Sequence, residues 1–478
     1  MLFHSITFLF LFLPAVLILY SIFDLKICVG AGIAASHRQT ILNLILLIAS
    51  LVFYAWGRVD HTFVLIHILF MNYLFGFSKA ECRTVLILGI AYDLCILFKY
   101  KYLALVLAFL KKGDTAGALA PLGLSFVIFH CISYLMDLYQ DREEPEQNLL
   151  TFALYISFFT KLAQGPIVKY RNMKMQLQSR ESVSAKGMLA GTERFVTGLG
   201  KKVLLADLLG ETAGRIFALF PDWGIDTLTA WIGCAAYTMQ LYMDFSGYSD
   251  MAIGLGRMFG FQIEENFHFP YRSCSITEFW RRWHISLGSW FKDYLYIPLG
   301  GNRRGNVYVH LFLVFLATGI WHRSGLLFLI WGIGHGMCVM WERWAAGTAW
   351  YQKCPRFLKW MSAMLLVSIG WLCFCLPDTA AMKQYLSCLF ACAPAPERGY
   401  LPFTWRYFTS RRFVFLMCLS AGGSFLLGDE RIQRLWKTKL EALPAMQTAR
   451  YAFLLLVWLL SFITIVARQY SPFLYFQF

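Results

Sequence analysis

The chain has 478 residues, of which 58% are hydrophobic and 15% charged, well short of the roughly 25% charged residues of a soluble domain. The apolar runs recur along its whole length, which excludes a string of soluble domains. A net charge of +15 would suggest nucleic-acid binding in a soluble protein; here it fits basic loops anchored at the cytoplasmic face of a membrane, or the attraction of an anionic donor such as a coenzyme.

A bilayer core about 30 Å thick takes roughly 20 apolar residues per helical span. In chain order the clearest runs are Leu2–Phe23, Thr40–Trp56, Thr62–Phe77, His310–Trp321, Leu326–Met340, Leu358–Leu376, Phe413–Leu427 and Tyr451–Val466. More polar candidates are Thr84–Phe98, Ala120–Leu138, Leu149–Ala163, Val203–Phe220 and Thr227–Met243. They predict an all-α polytopic membrane protein of about ten to twelve spans, with further helices lying in the interface. The first run lacks a basic start and a small-residue cleavage site, so it is read as a span and not a signal peptide. The loop after it carries Lys26, His37 and Arg38, which places that loop in the cytoplasm and the N-terminus outside.

Between the runs lie an acidic turn at Asp141–Asn148, a basic interval at Lys161–Lys202, an aromatic and basic interval at Asn266–Asn306, and a mixed-charge loop at Asp429–Thr448. The basic interval reads as a cytoplasmic segment with interfacial helices. None is long enough for a soluble domain and no internal repeat is visible, so residues 1–478 are expected to form a single membrane domain. The thirteen cysteines, Cys373, Cys375, Cys388 and Cys392 among them, form no paired CxxC pattern. No structural metal and no disulfide framework are expected.

Four stretches carry chemistry. In Leu241–Gly256, Asp244 and Tyr248 fall one helical turn apart on one face, and Gly247, Gly254, Gly256 and Gly260 permit close helix approach or a break. Asp244 and Asp250 either face a cavity or cap a broken helix and pair with arginines. In Ser275–Gly288, Trp280, Trp283, His284 and Leu287 fall at i, i+3, i+4 and i+7, predicting one amphipathic helix. Arg281 and Arg282 lie off that stripe, where they can face headgroups or a phosphate, and Glu278 can pair with Arg282. The same residues suit any interfacial helix. In Asp293–Gly305, Gly300, Gly301 and Gly305 surround Arg303 and Arg304 in a flexible basic loop, which could hold phosphates through its side chains and backbone N–H groups or simply anchor the chain. In Thr318–Gly325, His322 interrupts an apolar region, as His335 does thirteen positions later.

Together, Tyr242–Gly256, Phe279–Leu287, Asp293–Tyr296, Gly300–Arg303 and Trp321-His322 resemble, in the same order, the motifs of the membrane-bound O-acyltransferases, closest to the bacterial branch that acetylates alginate and other polysaccharides. The resemblance implies a ring of tilted helices around a central tunnel, with His322 as the active-site histidine and His284 at a second polar position. Relatives carry Gly and another small residue where Arg323 and Ser324 follow His322; a cation there would disfavour the protonated imidazole.

The reaction so implied is acyl transfer from a cytoplasmic thioester, acetyl-coenzyme A, to an extracytoplasmic acceptor. That acceptor would be a partner acetyltransferase or a glycan hydroxyl. No permanently bound cofactor is expected, and the lipid bilayer, not nucleic acid, is the surrounding partner. His322 would be the general base, and His284 would orient the acceptor or stabilise charge. Arg281, Arg282, Trp283, Asn302 and Arg303 would bind donor or acceptor, with Asp244 and Tyr248 holding the surrounding helix. The expected location is the bacterial inner membrane, in a multi-pass arrangement. D-alanyl transfer from a carrier protein is the alternative within enzymes; a glycan or small-solute transporter is the alternative outside them.

Overall fold

The computed structural model describes residues 1–24, 35–78, 82–103, 106, 107, 110, 120–140, 144–323, 325–392, 403–435, 443–467 and 474. Among these the regular elements are helices, with no strand. The protein is an all-α membrane protein. Among the described residues, four helices are long and apolar enough to cross a bilayer: His37–Ala55, Val59–Phe77, Arg356–Cys375 and Pro444–Ala467. Shorter apolar helices cover Phe8–Ile22, Leu149–Leu162 and Val307–His322. Along Pro444–Ala467 only Ser461 is buried, so its leucines and isoleucines face outward, as hydrocarbon solvent allows. Lys26 lies outside the described residues.

Contacts divide the chain into two compact units. The first comprises Met1–Phe195, Ser249–Glu265 and Lys292–Tyr294; the second comprises Val196–Tyr248, Asn266–Phe291 and Leu295–Phe478.

In the first unit, α1 (Leu13–Ile22), α2 (Ala35–Ala55), α3 (Val59–Phe77), α4 (Arg83–Lys101) and α5 (Leu124–Gln140) follow the apolar runs. The run Leu149–Ala163 is interrupted at Phe158, whose ψ of 114° ends one helix and starts the next.

Several cations of the basic interval are buried. Lys169 and Arg171 both reach Asp293. Arg180 donates to Tyr20 Oη at 3.0 Å and Asn43 Oδ1 at 2.7 Å and lies over the Phe261 ring. Lys161 lies 4.4 Å over the Tyr155 ring. Lys169, Arg171 and Arg180 therefore tie distant segments together, since a buried charge must find partners inside the protein.

The helix Thr227–Met258 runs 32 residues without a break, so its glycines serve close approach and not interruption. In the first unit a Cβ on Gly254 would stand 2.6 Å from Gly191 O, and one on Gly191 would stand 2.7 Å from Gly254 O. In the second unit a Cβ on Gly247 would stand 2.8 Å from Gly198 O. Only hydrogen fits between these backbones.

Asp244 and Asp250 sit within this helix and do not cap it. Asp250 pairs with Arg194, as the sequence allows. Asp244 pairs with a lysine instead: Lys202 Nζ lies 2.7 Å from Asp244 Oδ1 and 2.7 Å from Asp207 Oδ1. The other oxygen of Asp244 accepts from the backbone N–H of Leu474 at 3.0 Å.

Replacing Lys202 by Met removes the buried ammonium that Asp207 and Asp244 share. The expected outcome is a destabilisation of about 3–5 kcal/mol, read as a lowered thermal unfolding midpoint in detergent. Gly254→Val is expected to cost about 1–3 kcal/mol by overpacking, read in the same way.

Candidate functional site

The stripe Trp280–Leu287 is not one helix. A seven-residue helix, α6 (Ile276–Arg282), ends at Trp283, which is extended (φ −104°, ψ 128°). His284 then takes φ +47°, and α7 (Ile285–Phe291) begins. Helical spacing could not show this break, because its cause lies outside the segment. Asn266 O accepts from Ile285 N at 2.9 Å. Asn266 Oδ1 accepts from Ser286 N at 3.2 Å and Ser286 Oγ at 2.9 Å. One side chain so caps the second helix and makes a left-handed, non-glycine residue tolerable.

Asn266 also sets the tautomer of His284. The Ser286 backbone N–H can only donate, so the atom facing it is the amide oxygen. His284 Nδ1, 3.2 Å from that oxygen, is then the protonated nitrogen. Burial pushes the imidazole down to about 3, so the ring is neutral and Nε2 carries a lone pair. Nε2 is buried and meets no hydrogen-bond partner. The ring packs edge-on against Phe245 at 4.7 Å.

His322 is the last residue of α8 (Val307–His322). It is 8% exposed, and its ring lies 4.7 Å from Trp321, 5.0 Å from Trp331 and 5.3 Å from Phe374. Trp331 and His335 belong to α9 (Leu326–Ala345), and Phe374 to α10 (Arg356–Cys375). Helices α8 and α9 can close on each other because Gly319 and Gly332 face backbone: a Cβ on either would stand 2.6 Å from a carbonyl oxygen. The next residue, Arg323, is extended and its side chain is exposed. Ser324 lies outside the described residues.

Rings join the predicted residues. Trp283 packs on Trp371 at 4.8 Å, Trp371 lies 5.3 Å from Phe374, and Phe374 borders His322. Trp280 lies 5.5 Å from Trp331 and 5.3 Å from His335. The indole N–H groups of Trp280 and Trp331 and Nδ1 of His335 are buried and meet no hydrogen-bond partner. Buried donors without acceptors are costly, and a site that later receives a polar substrate is one place where they occur. A Cβ on Gly370 would stand 2.8 Å from His335 Nε2, so that glycine makes room for the ring.

The other expected residues are dispersed. Arg282 is committed to Glu278, 2.9 Å away, and also donates to His268 O, so it does not point at headgroups unpaired. Arg281 is exposed. The glycine loop is a folded turn rather than a flexible one. Gly300, Gly301 and Gly305 all have positive φ, Gly301 O lies 2.9 Å from His310 Nδ1, and the N–H groups of Arg303 and Arg304 are spent on Gly300 O. Those two N–H groups are therefore not turned toward a ligand, whereas the Arg303 and Arg304 side chains are exposed. Asn302 accepts from Tyr296 Oη at 2.8 Å. Asp244 and Tyr248 are buried on one face of their helix, with Asp244 in the ion triad. Sequence reasoning missed Asn266, Trp331, Trp371 and Phe374. The spacing of Trp331 and His335, one turn apart in an apolar run, was the available signal.

The description MBOAT, membrane-bound O-acyltransferase family, matches residues 68–386. The "Probable alginate O-acetylase AlgI" of Pseudomonas putida is 37% identical over 505 residues, with 100% of both chains covered. The peptidoglycan O-acetyltransferase of Helicobacter pylori is 34% identical over 78% of this chain and 77% of its own length. The teichoic acid D-alanyltransferase of Bacillus subtilis is 25% identical over 53% of this chain and 67% of its own.

Asn266→Ala removes the acceptor of three groups around the break. The expected outcome is a loss of about 1–3 kcal/mol, seen as a lower unfolding midpoint in detergent. An unchanged midpoint would show that the turn at His284 is held by other contacts.

Proposed function

The chain belongs to the membrane-bound O-acyltransferase family, and from that premise we propose that it acetylates a cell-surface or secreted polysaccharide, taking the acetyl group from cytoplasmic acetyl-coenzyme A. The observation that carries this reading is His322, a histidine at the end of an apolar helix. It is walled by Trp321, Trp331 and Phe374, in a chain similar end to end to a protein named for alginate acetylation. The protein is placed in the bacterial inner membrane as a multi-pass enzyme, with the acceptor outside: a glycan hydroxyl, or the hydroxyl of a partner acetyltransferase.

In the proposed step, the acceptor oxygen attacks the thioester carbonyl carbon while His322 takes the hydroxyl proton. The C–O bond forms and the C–S bond breaks. The coenzyme thiolate leaves and recovers the proton from His322 as a thiol. Negative charge builds on the carbonyl oxygen during attack, and the unspent indole N–H groups of Trp280 and Trp331 are the donors suited to it. Nε2 of neutral His284 accepts a hydrogen bond from the acceptor and orients it. Trp283 packs against the acyl or acceptor group. The exposed guanidinium of Arg303 meets a coenzyme phosphate, with Arg281 and Asn302 as further polar contacts.

With purified protein in liposomes, labelled acetyl-coenzyme A on one side and alginate or peptidoglycan oligosaccharides on the other, His322→Ala is expected to lower transfer by about 10²–10⁴-fold in a protein that still folds. Full activity in that variant removes His322 from the mechanism. Arg303→Ala is expected to raise the KM for the donor with kcat preserved at saturation; an unchanged donor KM refutes the phosphate role.

A further inference from the structure

We propose that Glu342 is a positioning residue for the acyl-transfer site, fixing the start of the short helix that carries Trp280 and leads into Trp283 and His284. The inference rests on the reading of that site as the acyl-transfer centre. Glu342 belongs to none of the motifs that point to the family, and it sits near the C-terminal end of α9, the helix that carries Trp331 and His335.

Helix α6 has seven residues, and isolated helices shorter than about 12–15 residues are marginal even in water. Its leading N–H groups have no partner within the helix. Ser275 Oγ accepts from Glu278 N at 2.9 Å, and Glu278 Oε2 reaches back to Cys274 N at 2.9 Å, forming a reciprocal cap. That leaves Ile276 and Thr277. Both donate to Glu342: Ile276 N to Oε1 at 2.5 Å, Thr277 N to Oε2 at 2.8 Å, with Thr277 Oγ1 on the same oxygen at 2.7 Å. A single carboxylate thus completes the cap and sets a negative charge at the positive end of the helix.

The same surface of α9 grips the helix further along. Trp331, His335 and Glu342 stand at i, i+4 and i+11, which is one stripe of an α-helix. Trp280, in the second turn of α6, lies against Trp331 and His335. The carboxylate and the two rings hold α6 at two points, so the distance between Trp280 and His335 is set by a helix that cannot slide or rotate. All three donors need oxygen lone pairs. An amide offers one oxygen and turns an N–H toward donors, and aspartate falls one methylene short.

The test uses the full chain in liposomes with labelled acetyl-coenzyme A. Glu342→Gln is expected to lower kcat about 10- to 100-fold, the scale of an ångström-sized misplacement, with the donor KM unchanged and the unfolding midpoint lowered only modestly. Glu342→Asp, which keeps the charge and loses the reach, is expected to resemble Gln. Thr277→Val, which removes one of the three bonds, is expected to show a smaller fall in kcat, and it decides the matter where the Gln variant fails to fold. Parental kcat in Glu342→Gln, or restored kcat in Glu342→Asp, overturns the proposal, as does a folded Thr277→Val with parental kcat when Gln cannot be measured. These results are separable from the acyl-transfer reading: an active His322→Ala refutes that reading, whereas an inactive His322→Ala beside a fully active Glu342→Gln refutes only the role of Glu342.

Discussion

The ammonium of Lys202 between Asp207 and Asp244 is the contact on which the second unit turns. Two carboxylates share one ammonium in a place nearly closed to solvent, an arrangement whose desolvation is offset only by good geometry and further donors. The backbone N–H of Leu474 supplies one such donor. Three stretches distant in sequence are thereby tied: a π-helical turn at Lys201–Ala206, the middle of a 32-residue helix, and a residue close to the chain end. That helix also carries Tyr242 and Phe245, whose rings border Trp283 and His284. An ion cluster with no evident chemistry of its own therefore sets the wall against which the site is built.

The site is made largely of rings, which suits a reaction that must keep water from a thioester. Aromatic side chains exclude water yet keep a polar edge in the indole N–H and imidazole nitrogens. Here those edges outnumber their partners: Trp280, Trp331, His284 and His335 each present a buried nitrogen with nothing to bond. Apolar surroundings strengthen any hydrogen bond such an atom forms when charge develops nearby. The geometry is held by residues set apart from the chemistry, Asn266 at the break before α7 and the carboxylate of Glu342 at the start of α6.

Apolar length and the order of motifs were legible in the sequence, and they carried the fold class and the family. Partnerships across distance were not. Helical spacing made one amphipathic helix of Trp280–Leu287, because the residue that breaks it, Asn266, acts from eighteen positions before His284. The basic interval showed its charges but not their counter-ions, because composition counts charges without pairing them; Asp293, Asp244 and Asp207 collect several of its cations. The glycines near Arg303 read as freedom, whereas their positive φ values build a closed turn around His310. The capping sequence Ser275-Ile-Thr-Glu278 was visible as a helix start, but the carboxylate that completes the cap lies more than sixty residues downstream.

The tautomer of His284 has a consequence for how protons travel. With Nδ1 facing an amide oxygen that neither binds a proton nor hands one on, the imidazole has a single working edge. A proton reaching Nε2 must leave by the same atom, so the ring is a cul-de-sac and not a wire. Relay of a proton through this imidazole from one nitrogen to the other is therefore closed at Nδ1.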